Sequence, residues 1–285
     1  MSRIMIVGNV VKDVYLNLDS RIENVETDSR GIQWLNLGFD KSGHKFFNRS
    51  SCLGGAAISL EILQNMGVSA HISGSNTNFS IDGIEQNGSL AAIYRYILVL
   101  DEQATYFSPS YEVMPEFVVP DEEPDYIFID RSVKLFPARE ILEYLDEHPN
   151  TKLAIHAGKT LRNEEEKILL DQANLVFAER NIGEATAGKI ISLMGNKITC
   201  DDIEIEFEIP RLELSTHLSA MTIVAATILG GITTGRSLEE SCGLARINVE
   251  HSSLDRTLPL AKMTQIYEEE QKVAEALIHL SDIKK

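Results

Sequence analysis

The feature that most constrains the fold is a regular alternation of apolar runs and amphipathic segments in the middle of the chain. The apolar runs are residues 126–130, 152–156 and 175–178, and the segments with helical spacing are 137–146 and 163–172, with a further helix beginning in 182–187. Runs this short and apolar are typical of buried strands. Strands and helices in this alternation indicate βαβ units, which build a parallel sheet with helices on both faces.

The segments on either side complete the pattern. Strands are predicted at residues 4–9 and 68–74, and helices at 56–66, 218–229, 238–250 and 260–281. Two stretches, about 14–51 and 90–107, instead have the alternation and turn residues of antiparallel strands. We therefore expect one α/β domain over residues 1–285. It is a doubly wound, mainly parallel sheet with helices on both faces and a small antiparallel β lid.

Composition narrows the class of protein. A net charge of −17 argues against nucleic acid or an anionic membrane as the main partner, because both require clustered Lys and Arg. The three cysteines are widely spaced and predict reduced, buried thiols rather than a metal site. The N-terminus has a strand pattern rather than that of a signal peptide, and the apolar run 218–232 is too short to span a bilayer. We expect a cytoplasmic protein.

Four local patterns follow one another in a fixed order. They are Gly8-Asn9-x-x-x-Asp13, a Gly54-Gly55 pair before the helix that contains Ser59, Asn181-x-x-Glu184, and a segment from residue 214 whose apolar helix runs to Gly230-Gly231. In order and spacing they resemble the PfkB/ribokinase family of carbohydrate kinases, over nearly the whole chain. The resemblance implies a ribokinase-like fold, with a sugar or nucleoside as substrate and ATP with Mg²⁺ as cofactors.

The resemblance also implies a substrate site near the N-terminus. It places Asp13, with Asn9, at the hydroxyls of a sugar, and it brings Gly54 and Gly55 close to the ligand. Ser59 stands where the family usually has asparagine, a longer hydrogen-bonding group. Taken alone, Asp13 equally fits a turn, and the glycine pair also fits a tight turn.

The cofactor side is implied by fewer residues. Asn181 and Glu184 would lie on one helix face, around magnesium and phosphate, with Glu184 as the metal ligand. Lys197 would meet a phosphate. Without the resemblance, Glu184 reads as a solvated residue in the first turn of a helix and Lys197 as an ordinary surface charge.

The sequence departs from the family where phosphoryl transfer takes place. At the family's Asp-Thr-x-Gly-Ala-Gly-Asp, the glycines are Leu218 and Ala220, which flank Ser219, and the catalytic aspartate is Met221. These positions would cradle phosphate with backbone N–H groups, and Leu218 adds a bulky side chain there. A thioether cannot accept the proton of the substrate hydroxyl, so we expect Met221 to pack in the core.

The residues just before this stretch offer weak substitutes. His217 is the titratable side chain closest to the missing aspartate, but it lies about one turn before it and equally fits a capping or surface role. Ser215 or Thr216 is expected to cap a helix that begins at Leu218, which would leave a weak anion site. His156, at the end of its predicted strand, reads as hydrogen-bonded scaffolding.

Three functional readings remain open. The first is a pseudokinase, a protein with the kinase fold that has lost efficient phosphotransfer and acts by binding a small molecule or a partner. The second is an active sugar or nucleoside kinase with a non-standard active site, and the third is a structural or regulatory subunit. In each case the exposed edges of the β lid favour a homodimer.

Overall fold

A computed structural model describes the backbone of residues 3–18, 25–27, 33–35, 47–73, 93–100, 103–107, 115, 117–130, 137–158, 164–182, 188–208, 214–252 and 258–283. Side chains are described for residues 3–10, 55–73, 115, 117–130, 137–158, 164–182, 188–208, 220–252 and 258–276.

The described elements follow the chain in the order that the alternation predicts. They are β1 (Arg3–Val7), β2 (Val10–Leu18), β3 (Val25–Thr27), β4 (Gln33–Leu35), β5 (Phe47–Gly55), α1 (Ala56–Asn65), β6 (Ser69–Ile72), β7 (Ile93–Leu100), β8 (Gln103–Phe107), β9 (Tyr126–Ile129), α2 (Ala138–Glu147), β10 (Lys152–Ala157), α3 (Glu164–Gln172), β11 (Leu175–Ala178), β12 (Lys189–Met194), β13 (Lys197–Cys200), β14 (Ile203–Glu206), α4 (Leu214–Thr233), α5 (Leu238–His251) and α6 (Leu260–Ile283).

The main sheet has eight strands in the order β14-β13-β12-β11-β10-β9-β1-β6. Six neighbouring strands of this sheet are parallel to one another, namely β12, β11, β10, β9, β1 and β6. Strands β13 and β14 are added beside β12 in antiparallel orientation. Side chains on one face of the sheet pack with α1, α4, α5 and α6, and those on the other face pack with α2 and α3. This confirms the doubly wound, mainly parallel α/β fold.

The two antiparallel stretches pair into one sheet, as the sequence predicts. This second sheet has the order β5-β2-β7-β8. Strand β2 pairs antiparallel with β5 and parallel with β7, so segments distant in sequence meet in it. The sheet begins at Val10, four residues before the predicted start at residue 14, because β2 follows β1 after only Gly8 and Asn9.

Helix α4 lies at the centre of the helical layer, where its apolar sequence places it. Residues 222–231 of α4 are all buried. A Cβ on Gly230 would lie 2.5 Å from Sδ of Met66, and one on Gly231 would lie 2.3 Å from Oγ of Ser241. The glycine pair therefore allows α1 and α5 to pack closely against this helix. Within the described residues, no helix is long and apolar enough to cross a membrane.

Three local predictions need correction. Helix α4 begins at Leu214 rather than at Leu218, so Ser215 and Thr216 lie in its first turn and do not cap it. Asn181 lies in an irregular segment after β11 rather than on a helix, and the predicted helix at 183–187 falls outside the described residues. Strands β12 and β13, which a tight turn at Gly195 (φ 66°) joins, were not predicted.

Candidate functional site

The candidate site lies at the carboxyl ends of the parallel strands β1, β9, β10 and β11. Open α/β sheets bind ligands outside these ends. Strand β1 ends at Val7, and the carbonyl of Asn9 then accepts a hydrogen bond from the backbone N–H of Ala56, at 3.1 Å. This bond holds the start of α1 at the end of β1, and Gly55 makes the turn with a φ of 61°.

A buried hydroxyl–carboxylate pair joins α1 to the sheet at this edge. Oγ of Ser59 donates to Oδ2 of Asp130 at 2.6 Å, and both residues have no exposed surface. Asp130 directly follows β9, and its backbone N–H donates to the carbonyl of Val7. A short bond between a hydroxyl and a carboxylate is stronger than one between neutral groups. Ser59 therefore fixes Asp130 in this structure.

A second buried pair lies on the next two strands. Nε2 of His156, in β10, is 2.9 Å from Oε1 of Glu179, just beyond β11, and the two side chains are 0% and 1% exposed. An ionised carboxylate only accepts hydrogen bonds, so Nε2 carries the proton. The other ring nitrogen, Nδ1, is buried and has no hydrogen-bond partner among the described residues. His156 is thus hydrogen-bonded, as predicted, through one nitrogen.

The two pairs form one polar row. Ile155 pairs with Ile129 in the parallel ladder, so the following residues, His156 and Asp130, are neighbours on adjacent strands. Strands in a sheet lie about 4.8 Å apart. Ala154 and Phe128 pack on the α1 and α4 side, and side chains alternate along a strand, so His156 and Asp130 face that side too.

The charged side chain of Arg180 follows Glu179 in the sequence and lies at the end of this row. Arg180 has an ion pair with Glu166 of α3 at 3.2 Å and donates a hydrogen bond to the carbonyl of Gly158. Glu166 is 2% exposed, so this pair is largely removed from water. The guanidinium therefore ties α3 to the chain after β10 and is already engaged by protein groups.

Helix α4 runs without a break through the position at which the family motif would hold phosphate. In an α-helix only the first N–H groups lack an intrahelical partner. Since α4 starts at Leu214, Leu218, Ser219 and Ala220 lie in its second turn, where the N–H groups belong to the helical ladder. Ala220 is 1% exposed. The backbone at these three residues does not fit a phosphate cradle.

Met221 follows in the same helix and behaves as an apolar residue. It is partly buried and packs against the core cluster on the α1 and α4 side. This confirms the packing role that the sequence predicts for it. His217 lies in the first turn of α4, about one turn before Met221.

The remaining predicted substrate residues lie in the lid sheet. Asp13 is inside β2, where it pairs with Cys52 of β5 and Arg95 of β7, rather than in a turn. Gly54 and Gly55 are the last two residues of β5, where Gly54 pairs with Val11. The positions of Asn9 and Gly55 at the junction of β1, β5 and α1 bring this part of the lid to the carboxyl edge of the main sheet.

The predicted cofactor residues are spread along the sheet. Asn181 is exposed and follows the row after β11, whereas Glu184 lies outside the described residues. Lys197, in β13, makes ion pairs with Glu204 and Glu206 of β14. Its hydrogen bonds to these carboxylates raise the pKa of the ammonium group. In the part of the chain that the structure describes, no group of three or more His, Cys, Asp or Glu side chains could hold a metal ion.

Sequence reasoning missed Asp130, Glu179 and Glu166 as members of the site. The sequence did contain a signal for two of them, since Asp130 is the last residue of a predicted strand and Glu179 comes directly after one. Their contacts with Ser59 and His156 depend on the register of strands that are far apart in sequence. Glu166 gave no signal, because it is one of three successive glutamates in the first turn of a helix, and charged side chains are mostly exposed.

Comparison with solved structures shows the fold. The nucleoside kinase of Methanocaldococcus jannaschii has a TM-score of 0.62 and 15% identity, with 94% of this chain and 99% of that chain covered. Ribokinase of Arabidopsis thaliana, complexed with ribose and ATP, has a TM-score of 0.60 and 11% identity, with 94% and 99% covered. Ribokinase of Cryptococcus neoformans, in complex with ADP, has a TM-score of 0.59 and 12% identity, with 93% and 99% covered.

These likenesses establish that the chain has a ribokinase-like fold over nearly its whole length. At this level of identity they describe the architecture and leave the activity open. No protein-family model and no curated protein sequence matches the chain.

Proposed function

We propose that this protein binds a small, hydroxyl-rich metabolite, a sugar or a nucleoside, at the carboxyl edge of its main sheet and is impaired in phosphotransfer. The observation that carries the proposal is the uninterrupted helix α4. It begins at Leu214 and contains both Met221 and the positions at which the family has its glycines. The chain thus lacks a carboxylate at the family's catalytic position and has no free backbone donors beside it.

The binding half of the proposal rests on the row of polar groups at the sheet edge. Buried polar side chains such as Ser59, Asp130 and His156 are costly to maintain unless they are satisfied. They lie where this fold class binds ligands. Two structural neighbours of the chain are ribokinases solved with ribose and ATP or with ADP, and a third is a nucleoside kinase.

A nucleotide remains part of the proposal only as a ligand. Asn181 and Glu184 would supply an amide and a carboxylate near a hydrated Mg²⁺, a donor set that suits this ion. The ion and the nucleotide would supply charge neutralisation and a phosphoryl group to the site. The chain's own residues offer no described carboxylate at the base position of α4, so bound ATP would not be used efficiently.

A homodimer through the lid sheet belongs to the same proposal. Strands β5 and β8 are the outer strands of this sheet. Outer strands carry unpaired N–H and C=O groups that pair readily with another chain. Sedimentation of the protein with and without a proline in β8, for example Thr105→Pro, would test this pairing.

Calorimetric titration with Mg-ATP, in the presence and absence of D-ribose or adenosine, tests the proposed function. We expect a sugar or nucleoside to bind. We expect no more ADP to form in the presence of this ligand than in the control without it. Magnesium-dependent ATP binding with substrate-dependent ADP release would instead identify an active kinase. A partner protein that co-purifies, with no ligand bound, would identify a structural or regulatory subunit.

A further inference from the structure

The imidazole of His156 is held in one orientation by the protein. Its Nε2 lies 2.9 Å from Oε1 of Glu179, and both side chains are withdrawn from water. The carboxylate holds a proton on Nε2, and in this tautomer Nδ1 is a lone-pair acceptor. Glu179 is therefore a positioning residue that selects the tautomer of the ring.

The acceptor at Nδ1 lacks a partner among the residues that the structure describes. Buried polar atoms almost always have a hydrogen-bond partner, and the exceptions often mark a missing water or ligand. The neighbouring pair shows the contrast, since Oδ2 of Asp130 already accepts a bond from Ser59 at 2.6 Å. Among the described residues of the row, His156 thus has one ring nitrogen that is available to a ligand.

The position of His156 indicates what satisfies this acceptor. The residue lies one position before the end of β10, near the middle of the eight-stranded sheet and beside Asp130. A ligand bound at this edge reaches Nδ1 only with a donor group, because a lone pair repels acceptors such as phosphate oxygens. Hydroxyl groups of neutral polyols are donors of this kind.

We infer that Nδ1 of His156 accepts a hydrogen bond from a hydroxyl group of a bound neutral sugar or nucleoside, and that this bond determines which hydroxyl-bearing ligands bind. The inference rests on the proposed function and deepens it. A site that binds a hydroxyl through a buried acceptor rejects the analogue without that hydroxyl, since the acceptor is then left unpaired.

Nitrogen NMR of the full-length protein, labelled with ¹⁵N-histidine, tests the inference without a mutation. A His156→Gln sample assigns the resonances of the ring. We expect the Nε2–H tautomer in the free protein, and an upfield shift of the Nδ1 resonance when D-ribose or adenosine is added to saturation. A proton on Nδ1 in the free protein, or an Nδ1 resonance that neither probe moves, would overturn the inference.

Calorimetry of three variants with the same two probes gives an independent test. His156→Phe removes the acceptor and should weaken binding about tenfold or more, the equivalent of one hydrogen bond. His156→Gln keeps an acceptor and a donor toward Glu179 and should recover most of the affinity. His148→Gln is the matched control, because His148 lies at the opposite edge of the sheet, where it stacks on Tyr144.

The results separate this inference from the proposed function. If a probe binds, shifts Nδ1 and is phosphorylated from ATP, the loss of phosphotransfer is refuted while the role of His156 stands. If the wild type and His156→Phe are both folded and bind a probe with equal affinity, the role of His156 is refuted and the proposed function stays in place.

Discussion

The substitution Met221→Asp restores the carboxylate that the family motif has at this position, and we expect it to restore no activity. Met221 lies in α4 about two turns after the first residue, Leu214, and packs against the apolar core. A carboxylate there is surrounded by helical backbone whose N–H groups are already bonded. It therefore has no free backbone N–H groups beside it that could hold a phosphate group for transfer.

The expected cost in stability follows from the packing of Met221. Complete burial of a methionine side chain contributes about 1.5–3 kcal/mol, and partial burial about half of that. Aspartate is also a poorer helix former than methionine, by up to about 0.5 kcal/mol. Met221→Asp should therefore lower the free energy of unfolding by about 2 kcal/mol, which corresponds to a decrease in Tm of about 4–8 °C for a chain of this size.

Urea denaturation measures the stability, and a coupled assay for ADP release with D-ribose or adenosine measures the activity. Met221→Leu is the matched control, because an apolar exchange of similar volume should cost less than about 1.5 kcal/mol. General-base catalysis is worth about 10²–10⁴-fold in rate. A substrate-dependent rise of this size in Met221→Asp would refute the argument that α4 leaves no phosphate cradle.

Three further predictions concern stability and reactivity. Ser59→Ala removes a hydrogen bond to the buried carboxylate of Asp130 and should cost about 1.5–3 kcal/mol in urea denaturation. Ser241→Ala, which removes a bond to a neutral carbonyl, should cost about 1 kcal/mol, and an equal or larger cost would contradict the assignment. Burial raises the pKa of Cys242 to about 12, so its thiol should react with a disulfide reagent at pH 8 only after unfolding, and rapid labelling of the native protein would exclude this burial. Lys197→Met removes exposed ion pairs and should change stability by less than about 1 kcal/mol, whereas a loss of ATP affinity would show that the ammonium binds phosphate.

The architecture was predictable because it depends on local periodicity. Apolar runs at β9, β10 and β11 alternate with the amphipathic helices α2 and α3, and this alternation has few alternatives other than a parallel sheet. The joining of the stretches 14–51 and 90–107 in one small sheet was also expected, whereas the parallel pairing of β2 with β7 in it was not. The start of α4 was placed too late, because Ser215 and Thr216 have the side chains of capping residues but lie inside the helix.

The candidate site was predictable only in part. The substitution of Met221 for the family's aspartate is visible in the sequence, and so is its consequence for chemistry. The bond between Ser59 and Asp130 is not visible, because it joins residues 71 positions apart. The pair of His156 and Glu179 depends likewise on the register between β10 and the chain that follows β11. Contacts of this kind require the three-dimensional structure.

The transfer of a phosphoryl group tests the central claim most directly. Phosphorus NMR of the wild-type protein with Mg-ATP and either D-ribose or adenosine follows both the loss of the γ-phosphate and the appearance of a phosphate ester. The account predicts that the ligand binds and that no ester forms above the level of an enzyme-free control. Formation of a sugar or nucleoside phosphate at a rate that depends on protein concentration would contradict it.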